Sequence, residues 1–274
     1  MSLVGPRPLY LKYNKLYNML YKSIILAAFN QKYYNMLLLD AVRLSPTDYV
    51  AFTFFIGFMA MFAATVFFFV ERSSVSDEWK LSMTVSGLIT LIAAVHYYYM
   101  RDVWVTSYTS PTEFRYIDWI LTVPLMCVEF YLLTKTGLSK MVSASVVMLV
   151  TGYLGEASVC SVFGTHSPAI WGLISGLAYF YIVNEVYQGD VAKAAKKAGK
   201  NIQNANSLLL KFVVIGWGIY PLGYLIGTAD GQWYSFLADL VNSDTRDLIY
   251  NVGDAVNKIG FGLVVWCAAK GSKK

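Results

Sequence analysis

Lys258 is the only lysine in the apolar run from about Asp247 to Ala269, and Asp254 precedes it by one helical turn. An amine at mid-membrane depth is costly, and a carboxylate beside it adds to the cost unless the two are paired. A lysine in that setting points to chemistry. Its amine can condense with an aldehyde to a Schiff base, and the protonated imine then needs an anion close by. Asp254, at i−4 on the same helical face, can be that anion. A snorkelling lysine is the plain alternative, but about eleven residues, roughly 16 Å of helix, separate Lys258 from the polar tail.

A second set of reactive groups lies in FRYIDWILTVPLMCVEFYLL, which holds Arg115, Asp118, Thr122 and Glu129. Asp118 and Glu129 are eleven positions apart, about three turns, so both carboxylates fall on nearly one helical face roughly 16 Å apart. Arg115 and Thr122 flank Asp118 at i−3 and i+4. Carboxylates inside a membrane mark ion or proton paths more often than packing, and two at different depths on one face suggest a relay. Asp118, near the arginine, is expected to be ionised. Glu129, among Cys127, Val128 and Phe130, is expected to hold a proton, which gives an acceptor and a donor.

The elements that must position these groups follow from composition. The chain has 274 residues, 57% of them hydrophobic and 14% charged, with a mean hydropathy of +0.48. Soluble domains carry about 25% charged residues, so the balance points to a polytopic membrane protein. The net charge of +5 is no nucleic-acid footprint, because the lysines concentrate in loops and tails. Cys127, Cys160 and Cys267 form no disulfide framework, and His96 and His166 lack metal-ligand spacing, so no metal is expected.

Seven apolar segments are each long enough to cross a bilayer core of about 30 Å: 49–70, 81–101, 114–134, 140–160, 168–188, 208–228 and 247–269. The fold class expected is an all-α membrane protein, a bundle of seven transmembrane helices in one domain over 36–274. The long QGDVAKAAKKAGKNIQNANS stretch is expected to be a polar connection, and Asp247 falls among the acids of the sixth connection. Lys193, Lys196, Lys197, Lys200, Lys135, Lys140 and the lysines of the tail should be cytoplasmic, which puts the C-terminus inside and the N-terminus outside. Residues 1–35, with Arg7, Lys12, Lys15, Lys22 and Lys32, do not fit that picture. They read as an imperfect signal peptide or as an upstream extension from a mis-called start.

RYIDWILTVPL, GWGIYPLGY and YNVGDAVNKIGFGLVVW resemble the third, sixth and seventh helices of microbial rhodopsins, proteorhodopsins of marine bacteria above all. The similarity spans residues 45–269. It implies all-trans retinal bound covalently to Lys258 in the bundle core, with Asp118 as counterion and proton acceptor, Asp254 as second counterion and Glu129 as cytoplasmic donor. Asp118, Thr122 and Glu129 match the family's proton-pump pattern. His96 matches the histidine that bonds the counterion, and Arg115 the arginine that gates the outer half-channel. Trp119, Trp217, Tyr220 and Pro221 match the ring around the retinal, with Tyr97 a further candidate. Met126 holds the colour-tuning position, where an apolar side chain goes with green absorption. Glu156 belongs either to the release region or to a paired interfacial acid.

The function implied is a light-driven outward proton pump rather than an enzyme, in a bacterial inner membrane. Its partners would be protons, the lipid bilayer and copies of itself in a pentamer or hexamer, with no nucleic acid. A photosensory rhodopsin, a light-driven pump for another ion and a retinal-free transporter or receptor are the alternatives. Glu129, the Asp118–Thr122 pair and the Lys258–Asp254 pair argue against them in turn.

Overall fold

The computed structural model describes residues 47–272. The expected extension over 1–35 and the first residues of the expected domain, 36–46, lie outside the described residues. Among the described residues the elements are helical throughout: α1 (Tyr49–Glu71), α2 (Lys80–Ser107), α3 (Thr112–Thr134), α4 (Leu138–Glu156), α5 (Ser167–Tyr187), α6 (Asp190–Lys197), α7 (Lys200–Lys211), α8 (Ile219–Gly227) and α9 (Ser243–Gly271). Among the described residues, seven helical stretches are long and apolar enough to cross a membrane. The chain is a multi-pass membrane protein. A helix suits a spanning segment because it satisfies its own backbone polar groups.

Local signals set the helix ends. Asp48 caps α1, its Oδ1 accepting from the Ala51 N–H at 2.8 Å, and Asn242 caps α9 by accepting from Thr245 at 2.8 Å. Between α3 and α4 the chain reverses through Lys135 at φ 58° and Gly137 at φ 80°. Successive helices pack side by side, and α9 closes the bundle against α1 and α2. Phe68, Phe130, Met141, Ile182, Leu209 and Phe261 fill one half of the core. Phe62, Leu173, Phe180 and Leu222 point outward, as lipid-facing side chains must.

Several boundaries differ from the expected ones, and α2 runs on to Ser107 rather than 101. The lysine-rich connection is helical, forming α6 and the start of α7, which breaks at Gly199 where φ is 101°. In α6 the small residues Val191, Ala192 and Ala195 turn inward and Lys193, Lys196 and Lys197 outward. That helical period is invisible to a hydropathy window, which averages the two faces. The fourth span ends at Glu156 rather than 160. The seventh begins at Ser243, four residues before its expected start, which brings Asp247 inside α9 and out of the loop.

Candidate functional site

Helix α9 carries Lys258 and Asp254 one turn apart, and α3 brings Asp118 against them from across the bundle. Lys258 Nζ donates to Asp118 Oδ2 at 2.6 Å and to Asp254 Oδ2 at 2.5 Å. The three residues are no more than 3% exposed. One ammonium thus faces two carboxylates in a buried space, where ion pairing and hydrogen bonding have to offset the loss of water. Asp254 is fixed further by Tyr220, whose hydroxyl donates to its Oδ1 at 2.8 Å. An amine so held can exchange a proton with either carboxylate or condense with an aldehyde.

A cavity of about 620 Å³ opens beside Lys258, within the range of small-molecule sites. Trp119, Met126, Tyr179, Trp217, Tyr220 and Pro221 are among the side chains on its wall. Trp119 and Tyr220 meet with ring centroids 4.9 Å apart. Trp217 reaches the wall because a single π turn, Phe212–Gly216, interrupts the sixth span; the Trp217 N–H donates to the Phe212 carbonyl at 2.9 Å. A long apolar aldehyde fits this lining, with its reactive end at Lys258.

The rest of the expected site is partly brought together. Thr122 is fully buried, and its hydroxyl donates to the Asp118 backbone carbonyl at 2.9 Å rather than to a carboxylate. His96 Nδ1 sits 3.9 Å from Asp118 Oδ1, beyond hydrogen-bond length, and lies 2.8 Å from the Ile92 carbonyl. The expected His96–Asp118 bond is therefore not made: the imidazole nitrogen is engaged by its own helix. Tyr97 is fully buried, and its ring packs 5.8 Å from that of Phe54. Arg115, three residues before Asp118, turns away from it. Its NH2 donates to Asp247 Oδ1 at 2.7 Å and to Asn251 Oδ1 at 2.8 Å.

Glu129 is fully buried about three turns beyond Asp118 on α3, and the Ser86 hydroxyl of α2 donates to its Oε1 at 3.0 Å. Glu156 accepts from the Tyr116 hydroxyl at 2.8 Å, which makes it a paired acid at the end of α4. Sequence reasoning missed Ser86, Asn251 and Asp247. The first two are ordinary polar residues in apolar runs, and the third looked like a loop acid. For Asp247 a signal existed: Asn242 followed by an acid in the first turn is a helix start.

The sequence profile of the bacteriorhodopsin-like protein family matches residues 48–272. The green-light absorbing proteorhodopsin of Gamma-proteobacterium EBAC31A08 is 43% identical over 233 residues, 82% of this chain and 88% of that protein. Among solved structures, the rhodopsin of Exiguobacterium sibiricum superposes with a TM-score of 0.69 at 37% identity, covering 81% of this chain and 96% of that one. Xanthorhodopsin, described as a light-driven ion pump with dual chromophore, gives 0.69 at 25% identity over 84% and 96%. With a buried lysine between two aspartates on a seven-helix frame, and a family profile that covers the whole bundle, the chain belongs to the bacteriorhodopsin-like family.

Proposed function

We propose that this chain is a light-driven pump that moves protons outward across a bacterial membrane, with all-trans retinal attached to Lys258. The observation that carries the reading is Lys258 Nζ, buried between Asp118 and Asp254 at the wall of an apolar cavity. Similarity to a green-light absorbing proteorhodopsin and to a light-driven ion pump supports it. Bound retinal supplies the photochemistry: absorbed light changes its shape and thereby the proton affinity of the nitrogen that holds it.

The remaining work belongs to the chain. Asp118 Oδ2, 2.6 Å from Lys258 Nζ, takes the proton given up there. Asp254, held by Tyr220, remains as the anion that keeps the site charge-compensated. Glu129 is fully buried with the Ser86 hydroxyl on Oε1, and it returns a proton to the nitrogen from the opposite side. Thr122 ties its hydroxyl to the backbone of Asp118 and so steadies the acceptor's turn of α3. Trp119, Trp217, Tyr220 and Pro221 confine the chromophore, and Met126, an apolar side chain on the wall, goes with green absorption. The lysines of α6 and the α3–α4 turn favour a cytoplasmic C-terminus, so Glu129 faces the cytoplasm and Asp118 the outside. Protons passed from Glu129 to Asp118 through Lys258 then move outward.

The test is reconstitution. Purified protein mixed with all-trans retinal is expected to give a visible band that hydroxylamine bleaches. Lys258→Ala is expected to give none while its far-ultraviolet helical signal persists. A coloured Lys258→Ala protein would overturn the assignment.

A further inference from the structure

Asp247 is fully buried in the first turns of α9. Its Oδ1 accepts from Arg115 NH2 at 2.7 Å and from the Ser110 hydroxyl at 2.8 Å. The Arg115 guanidinium lies between two rings, 5.2 Å from the centroid of Phe54 and 5.3 Å from that of Tyr250. Its NH2 also reaches Asn251 Oδ1, and Asn251 donates to Thr53 Oγ1 at 3.0 Å. Side chains from α1, the α2–α3 turn and α9 thus hold one arginine of α3 on one aspartate. Asp118, on the same face of α3 and one turn away, is the anion that spacing alone would assign to Arg115. Instead Asp118 pairs with Lys258.

We propose that Asp247 is a positioning residue for the proton transfer: by anchoring Arg115 it keeps the guanidinium off Asp118 and so keeps Asp118 a competent proton acceptor. The inference rests on the reading above, in which Asp118 receives the proton from Lys258. A free cation within about 4–6 Å of a carboxylate favours its ionised form by about one to three pH units. Compensated by Asp247, Arg115 exerts far less of that pull. With Asp247 neutral, the buried guanidinium lacks its counter-charge and is left to the other carboxylates in its reach, Asp254 and, one turn along its own helix, Asp118.

The groups around both ends are known. Lys258 and Asp254 of α9 and His96 and Tyr97 of α2 face Asp118, and Tyr220 of α8 reaches it through Asp254. Ser110, Arg115, Tyr250, Arg246 and the Glu156 carboxyl of α4 surround Asp247.

The experiment is an acid titration of the visible band in the retinal-reconstituted full chain, for the parent, Asp247→Asn, Asp247→Glu, Arg115→Gln and the Arg115→Gln/Asp247→Asn double variant. The parent band is expected to move to the red as Asp118 takes up a proton. In Asp247→Asn the midpoint is expected to fall by about one pH unit or more, and Asp247→Glu to stay near the parent. The double variant is expected to titrate like Arg115→Gln alone, because Asp247 acts only through the arginine. An unchanged midpoint in Asp247→Asn overturns the proposal. So does an equal fall on the Arg115→Gln background, which would mean that Asp247 acts by its own charge. Should Asp247→Asn fail to form pigment, Asp247→Ser is titrated against the parent in its place, with the same fall expected and an unchanged midpoint overturning the proposal. A parent without any visible band is a different failure, that of the retinal reading itself.

Discussion

Asp118 and Glu129 are both fully buried carboxyls on α3, and their neighbours give them opposite roles in the proposed cycle. Asp118 touches an ammonium; Glu129 touches a serine hydroxyl and, among the described residues, no charged partner that offsets its own charge. Glu129→Gln separates the two roles. Retinal binding and the first proton transfer to Asp118 are expected to survive. Return of a proton to Lys258 is expected to slow by at least tenfold and to become dependent on external pH, with azide, a mobile proton carrier, restoring part of the rate. Flash spectroscopy measures it, and a wild-type rate without pH dependence would remove Glu129 from the path. The Lys258–Asp254 pair was legible in the sequence because both residues lie on one helix at a spacing that fixes their contact. The partners supplied by other helices were not: Asp247 for Arg115, Ser86 for Glu129 and Tyr220 for Asp254 depend on how helices rotate against one another, which no single segment records.

At the scale of elements, the seven spans were readable because a bilayer demands runs of apolar residues of fixed length. What hydropathy could not supply was helix without apolarity, as in α6, and the π turn before Trp217, which has no distinctive residue type. Close helix approach was also hidden. A Cβ at Gly155 on α4 would meet the Tyr224 hydroxyl of α8, and Trp171 Cβ of α5 at 2.9 Å. Tyr224 cannot simply swing aside, since its hydroxyl donates to the Pro168 carbonyl at 2.6 Å. Gly155→Val is therefore expected to cost about 1–3 kcal/mol of stability. A thermal melt followed by loss of pigment colour checks it: the midpoint should fall by several degrees, and an unchanged midpoint would mean that the three helices can part without penalty.

For the molecule as a whole, the bundle places its chemistry along one line, from the Arg115–Asp247 pair past Asp118 and Lys258 to Glu129. Direction along that line rests on the lysine distribution, a property of the whole chain rather than of any site. The most direct measurement is the pH of an unbuffered suspension of cells that carry the protein and all-trans retinal, recorded under illumination. The medium is expected to acidify in the light and recover in the dark, with the signal abolished by a protonophore and absent in Asp118→Asn. Light-driven alkalinisation, or no change from cells that contain the coloured pigment, would contradict an outward proton pump.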